Sequence, residues 1–308
     1  MSTQGRAFWI MDNISPLQKI AQAPDWPANA PRLVAARDGY RTRVSPQLLG
    51  PQIDYYLGAG TPAYSSPMTF DILDAGGNVV NSYSSETPAG GGRGGRGGRG
   101  GGRGAAPAGE AAAGGAGEEQ QFDPEAGGGG GGRGRGNAPP PRITKDSGNN
   151  RFVWDVRNAA GLTMPPGDYQ LRWNETRMEV PFKVLIDPRI AAEGVTAADL
   201  KEQFDHNVRV HELGAQAQQL YARVRAAMPG AGGENAAKLK TIYEQLVDTP
   251  EGVRYNKPGL QTHLRYLASM TANTDQKIGR DAIDRYQELK KEFDGLKAEA
   301  EKVLGSTF

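Results

Sequence analysis

Residues 178–186 read MEVPFKVLI, and this stretch shows the clearest structural pattern in the chain. Apolar side chains occupy every second position, which is typical of a β-strand with one buried face. The same alternation occurs in four other stretches, at 53–57, 68–72, 152–156 and 169–173. Short one-sided strands separated by turn residues favour two sheets that share a core. The sequence therefore predicts an antiparallel β-sandwich over residues 51–188.

A segment rich in glycine and arginine interrupts these strands at residues 89–141. The chain contains 43 glycines, most of the excess lies here, and Phe122 is the only aromatic residue of the segment. Such a composition buries too little apolar surface to offset the entropy that is lost on ordering. Because the flanking strands are too few for two separate domains, we predict a long disordered insertion within one domain.

The apolar spacing becomes helical after residue 188, and residues 195–305 are predicted to form an α-helical bundle. Thr196 and Asp199 have the spacing of a capping box at the start of the first helix. Further helices are expected at about 234–247, from Pro258 onward, and at 275–304, where the apolar spacing is that of a coiled-coil seam. The expected fold class is α+β with more than one domain.

The first 20 residues are interpreted as an orphan β-strand and residues 21–50 as a polar, Pro-rich linker with a possible short strand around Leu33 and Val34. Residues 4–10 read QGRAFWI, and a lone strand with exposed aromatic side chains needs a sheet to be stable. We therefore expect that Met1 truncates a larger protein, with a frayed N-terminal tail as the alternative. The start lacks the basic and apolar segments of a secretory signal peptide.

Composition excludes several classes of function. The formal net charge is +1, so no overall field recruits nucleic acid or an anionic membrane. The absence of cysteine excludes disulfides, thiolate nucleophiles and Cys-based zinc sites. No apolar run reaches about 18 residues, so no membrane span is expected.

No complete catalytic, cofactor-binding or metal-binding motif is recognisable, and we predict that the chain is not an enzyme in its own right. Residues 58–63, GAGTPA, imitate a dinucleotide fingerprint, but Pro62 prevents the helix that this motif requires. His206 and His211 are five residues apart and point to different sides of a helix, and His263 is isolated. These histidines are interpreted as structural or surface residues.

Three residues are candidates for ligand contact: Trp154, Asp155 and Trp173. The two tryptophans could stack on a sugar, although their alternation with other apolar residues favours packing in the core. Asp155 could also form the carboxylate pair of a glycosidase with Asp54 or Asp71. A glycosyl hydrolase is therefore an alternative function.

Residues 91–99, GGRGGRGGR, look like an Arg/Gly box. Flexible arginines of this kind neutralise phosphates and stack on bases. Interleaved aromatic residues are missing, and nearby acidic residues offset part of the charge: Glu110, Glu118, Glu119, Asp123 and Glu125. A nucleic-acid binding protein is a second alternative, and a solvated loop is the simpler interpretation.

Several short motifs follow one another in a characteristic order. They are QGRAFWIMD (4–12) with PLQ (16–18), NRFVWDVR (150–157), PGDYQL (166–171), IDPR (186–189) and YNKPGL (255–260). Together they resemble the C-terminal portion of bacterial sortilin-like (VPS10/BNR-repeat) β-propeller proteins, which are often labelled glycosyl hydrolases. The first motif is similar to the closing strand of the last propeller blade in that family.

The resemblance implies an extracytoplasmic protein, periplasmic or secreted, in which a propeller precedes an immunoglobulin-like sandwich and a helical tail. The repeated Ser/Thr-x-Asp-x-Gly-x-Thr-Trp boxes of BNR blades are absent here, so a glycosyl hydrolase label would be inherited from the missing propeller. The implied function is a non-catalytic accessory region for assembly or for binding protein or glycan. Its implied partner is the missing propeller.

Overall fold

The structure is a computed structural model, and it describes residues 13–22, 30–43, 50–58, 67–86, 141–251 and 255–305. These residues form a mixed α and β fold. The strands are β1 (Arg32–Arg37), β2 (Gly39–Arg41), β3 (Gln52–Leu57), β4 (Thr69–Asp74), β5 (Val79–Ser84), β6 (Gly148–Val153), β7 (Gly167–Trp173), β8 (Met178–Ile186), β9 (Thr249–Glu251) and β10 (Tyr255–Lys257). The helices are α1 (Ser15–Ala21), α2 (Pro188–Ala192), α3 (Ala197–Ala227), α4 (Gly233–Leu246), α5 (Leu260–Ala272) and α6 (Arg280–Leu304).

The first eight strands form two sheets. One sheet has the order β1-β3-β6, and the other has the order β2-β8-β7-β4-β5. All neighbours are antiparallel except β2 and β8, which are parallel. The chain passes from the first sheet to the second between β1 and β2, so residues 32–41 contribute one strand to each sheet. β9 and β10 form a separate two-stranded ribbon.

Both sheets contribute aromatic side chains to one hydrophobic core. The ring of Phe70 on β4 meets Tyr55 of β3 at 5.2 Å and Phe152 of β6 at 5.7 Å between centroids, both edge-on. Tyr55, Phe70 and Phe152 are fully buried. Edge-on contacts of this kind add to the free energy that is gained by burying the rings.

Two parts of the predicted domain plan need correction. The proposed linker at 21–50 contains β1 and β2, which pair with β3 and β8. Regular structure was largely missed in this stretch because the two strands are short and contain several arginines. The proposed N-terminal strand at 1–20 includes helix α1, and its aromatic residues Phe8 and Trp9 lie outside the described residues. The predicted insertion at 89–141 also lies outside them, except for Pro141.

The helices agree closely with the predicted spacing. The Thr196 side chain accepts from the backbone N–H of Asp199, and the Asp199 carboxylate accepts from the backbone N–H of Thr196, which completes the capping box of α3. Helices α3 to α6 contribute to a second hydrophobic core. The last helix begins at Arg280 instead of residue 275, because Asp275 is drawn into contacts with the sheet.

A buried polar cluster, called the Arg41 cluster below, joins the sheets to the helices; it consists of Arg41, Arg43, Gln203 and Asp275. The Arg41 guanidinium donates to Asp275 Oδ1 at 3.0 and 3.2 Å and to Gln203 Oε1 at 2.6 Å. Arg43 donates to the same carboxylate oxygen at 2.7 and 2.9 Å. Gln203 then donates to two backbone oxygens at the end of α5. The cluster therefore ties β2, α3 and the α5–α6 connection together.

Candidate binding surface

Trp154 and Trp173 lie in the core and do not form a ligand platform. The Trp154 ring meets Tyr169 and Phe182 edge-on, and its Nε1 donates to a backbone oxygen at 3.2 Å. Trp173 packs edge-on against Phe70. Both indoles are buried, so neither presents a face to a sugar. This corrects the sugar-stacking option and agrees with the packing alternative.

Asp155 is half-buried just beyond the end of β6. Tyr83 Oη donates to Asp155 Oδ1 at 3.1 Å, and Asn81 Nδ2 donates to Tyr83 Oη at 2.9 Å. Burial raises the pKa of Asp155, and the Tyr83 hydroxyl partly opposes this shift. The next residue, Val156, has φ of 59°, which β-branched residues rarely adopt. The result is one carboxylate that holds its proton more strongly than usual beside a strained turn.

The three candidate carboxylates do not meet in one site. Asp54 on β3 forms an ion pair at 2.9 Å with an arginine of β6. Asp71 accepts from Ser82 at 2.6 Å, whereas Asp155 accepts from Tyr83. Because Ser82 and Tyr83 are consecutive on β5, their side chains lie on opposite faces of the sheet. Asp71 and Asp155 therefore cannot act together as the acid and nucleophile of a glycosidase.

The histidines are also separated. His206 is buried, His211 is exposed on another side of α3, and His263 lies on α5. No group of three or more potential metal-ligating side chains occurs among the described residues.

A groove of about 480 Å³ lies between the second half of α5, the α5–α6 connection and the first turns of α6. Tyr266 and Met270 stand one turn apart on α5 and are 65% and 49% exposed. Buried Leu267 and Ile278 also line the groove. Large apolar side chains exposed beside a concavity are characteristic of a binding surface.

Charged side chains also line the groove. Lys277 and Arg285 line it together with one carboxylate, Asp281. The two cations form exposed ion pairs, Lys277 with Asp199 at 4.0 Å and Arg285 with Glu288 at 2.9 Å, and such pairs contribute little to stability. The N-terminus of α6, which has no side-chain cap, adds the positive end of a helix dipole.

Sequence reasoning overlooked Tyr266 and Met270. Leu260, Leu264 and Leu267 mark the buried stripe of α5. Two large apolar residues at i and i+4 outside that stripe were the available signal. The Arg41 cluster had no comparable signal, because its members are distant in sequence.

Comparisons with protein-family models, with curated proteins and with solved structures each found no match. Across the part of the chain that the structure describes, no helix combines the length and the apolar character that crossing a bilayer requires.

Proposed function

We propose that this chain is a non-catalytic binding and assembly region, built from an immunoglobulin-like sandwich and a helical bundle. Following the resemblance of its motifs, we assign it as the C-terminal accessory region of an extracytoplasmic sortilin-like BNR-repeat protein. Its ligand is an acidic protein segment with an apolar anchor, and the binding surface is the groove between α5 and α6. The motif resemblance supports the family, and the groove supports the mode of binding.

The exposed pair Tyr266 and Met270 is the observation that carries this proposal. Tyrosine and methionine are enriched where proteins bind one another, because they offer large contact areas and adapt to different partners. Exposing both costs solubility without contributing to the helical core, whose apolar stripe lies elsewhere on α5. A partner that covers them explains their position.

Charge complementarity selects an acidic ligand. Lys277 and Arg285 are both at least partly exposed, so their charged groups can contact the carboxylates of a ligand without any movement of the core. The helix dipole of α6 favours the same sign of charge. An acidic segment with one aromatic residue satisfies both the apolar and the charged parts of the groove.

The test is a titration of the chain with the fluorescein-labelled peptide EEFEE, monitored by fluorescence anisotropy at low salt. We expect saturable binding that Tyr266→Ser weakens about tenfold, equivalent to about 1.4 kcal/mol. Val79→Ser, which removes an exposed apolar residue from β5, is the matched control and should leave the affinity unchanged. Equal binding of the charge-reversed peptide KKFKK, or no effect of Tyr266→Ser, would contradict the proposal.

The family assignment has a separate test. The DNA upstream of Met1 should contain a BNR-type reading frame or a frameshifted remnant of one. Its absence would remove the propeller from the proposal and leave the groove untouched.

The Arg/Gly-box alternative rests on the sequence at 91–99. It predicts RNA binding that declines with salt and disappears when residues 90–136 are deleted. A chain that binds RNA in this way but does not bind EEFEE would favour the alternative.

A further inference from the structure

His206 is a buried imidazole in the helical part of the chain. It lies on α3 and is 1% exposed. Among the described residues, neither Nδ1 nor Nε2 has a hydrogen-bond partner. Its ring meets the Tyr286 ring of α6 edge-on, with centroids 5.9 Å apart. Buried polar atoms are almost always paired, so this site is an exception that a neutral ring tolerates better than a charged one.

Arg209 lies near His206 and disfavours a positive charge on the imidazole ring. Arg209 and Glu202, both on α3, act on His206 in opposite directions. Arg209 also lies 5.9 Å above the Tyr286 ring. From α6 the ring of Tyr286 faces His206. One turn earlier on α3, Gln203 belongs to the Arg41 cluster, where two arginines share the single carboxylate of Asp275.

We propose that His206 is a proton-operated latch between α3 and α6. When it is neutral, the ring packs against Tyr286 and the helices stay closed. When it is protonated, both ring nitrogens need acceptors that the packed helices do not provide. The least costly response is separation of α6 from α3, which brings water to the ring.

The latch would also control the groove. Ala282 and Arg285 line the groove from α6, and Tyr286 is the next residue along this helix. Movement of α6 away from α3 therefore changes the shape of the groove and releases a bound segment in acid. This consequence rests on the proposed function, whereas the latch itself does not.

The direction of the pH effect follows from burial. Desolvation lowers the pKa of His206, with Arg209 acting in the same direction. The folded state thus binds its proton less readily than the unfolded chain. Its contribution to stability is complete above about pH 6.5, the ordinary histidine pKa, and is lost as pH falls through the lower folded-state pKa.

The decisive experiment compares urea unfolding of the wild type and of His206→Phe between pH 7.5 and pH 5. In the wild type, the unfolding equilibrium constant should increase by up to about tenfold for each pH unit below about 6.5. This is the largest change that the uptake of one proton can produce. His206→Phe should lose this component, while His211→Gln should retain it. An unchanged pH dependence in His206→Phe would overturn the latch.

A second measurement covers the case in which His206→Phe does not fold. An NMR titration of the wild-type His206 ring should give a pKa below 6.5, and a value at or above it would refute the proposal. For the groove, EEFEE affinity is compared at pH 7.5 and pH 5.5 in a His263→Gln background, because His263 lines the groove. Loss of affinity at pH 5.5 is expected. A working latch without peptide binding at either pH would reject only the proposed function.

Discussion

Val156 has a strained backbone conformation at the edge of the sheets. Its φ of 59° is favourable for glycine, yet it is a buried β-branched residue in the aromatic core. The left-handed conformation costs roughly 1–2 kcal/mol, and burial of the valine side chain contributes a similar amount. Val156 enters the core two residues after Trp154, although β6 already ends at Val153.

The Asp155 carboxylate should destabilise the folded protein at neutral pH. A folded-state pKa above the unfolded value means that stability is highest when the carboxyl is protonated and falls as pH rises through that range. We expect Asp155→Asn, which resembles the protonated acid, to stabilise the protein at pH 7 by about 1 kcal/mol or less, the size of one net hydrogen bond. Urea unfolding measures this change. The gain should shrink below about pH 4, and a loss of stability at pH 7 would contradict the interpretation.

The chain passes from one sheet to the other at Gly39, the first residue of β2. A Cβ at this position would overlap the backbone of Gly50 and Pro51. Gly39→Ala should therefore cost about 3 kcal/mol or more, because backbone atoms must move to accommodate the methyl group. Thermal unfolding provides the measurement. Gly167→Ala at the start of β7, where the nearest atom is 3.8 Å away, is the control and should be nearly neutral.

At the scale of the whole molecule, the Arg41 cluster holds the sheets and the helices in one arrangement. Asp275→Ala should cost about 3–5 kcal/mol, since it leaves the buried Arg41 without its counter-charge. Arg43→Ala should cost much less, because Arg43 is partly exposed and Asp275 keeps Arg41. Urea unfolding followed by tryptophan fluorescence and by helical circular dichroism compares the two variants. Equal losses would show that the cluster does not act through the buried charge.

The sequence predicted the structure well wherever the spacing of apolar residues within one strand or helix was enough to identify its buried face. Alternation identified the inward faces of β7 and β8, and helical spacing with the Thr196 cap located α3 to within a residue or two. The five-residue shift at the start of α6 has a different origin. Asp275 lies before the helix, and its carboxylate accepts hydrogen bonds from Arg41 and Arg43, which are distant in sequence.

The order of apolar residues alone was enough to show which faces of the strands and helices are buried and that the fold is mixed α and β. Three features became visible only in the folded chain: Trp154 and Trp173 are internal, Asp155 is separated from Asp71, and Tyr266 and Met270 border a groove. The physical reason is distance along the chain. Local periods report which face is buried, whereas burial against distant elements, charge pairing over more than 200 residues and the surroundings of His206 exist only after the chain has folded.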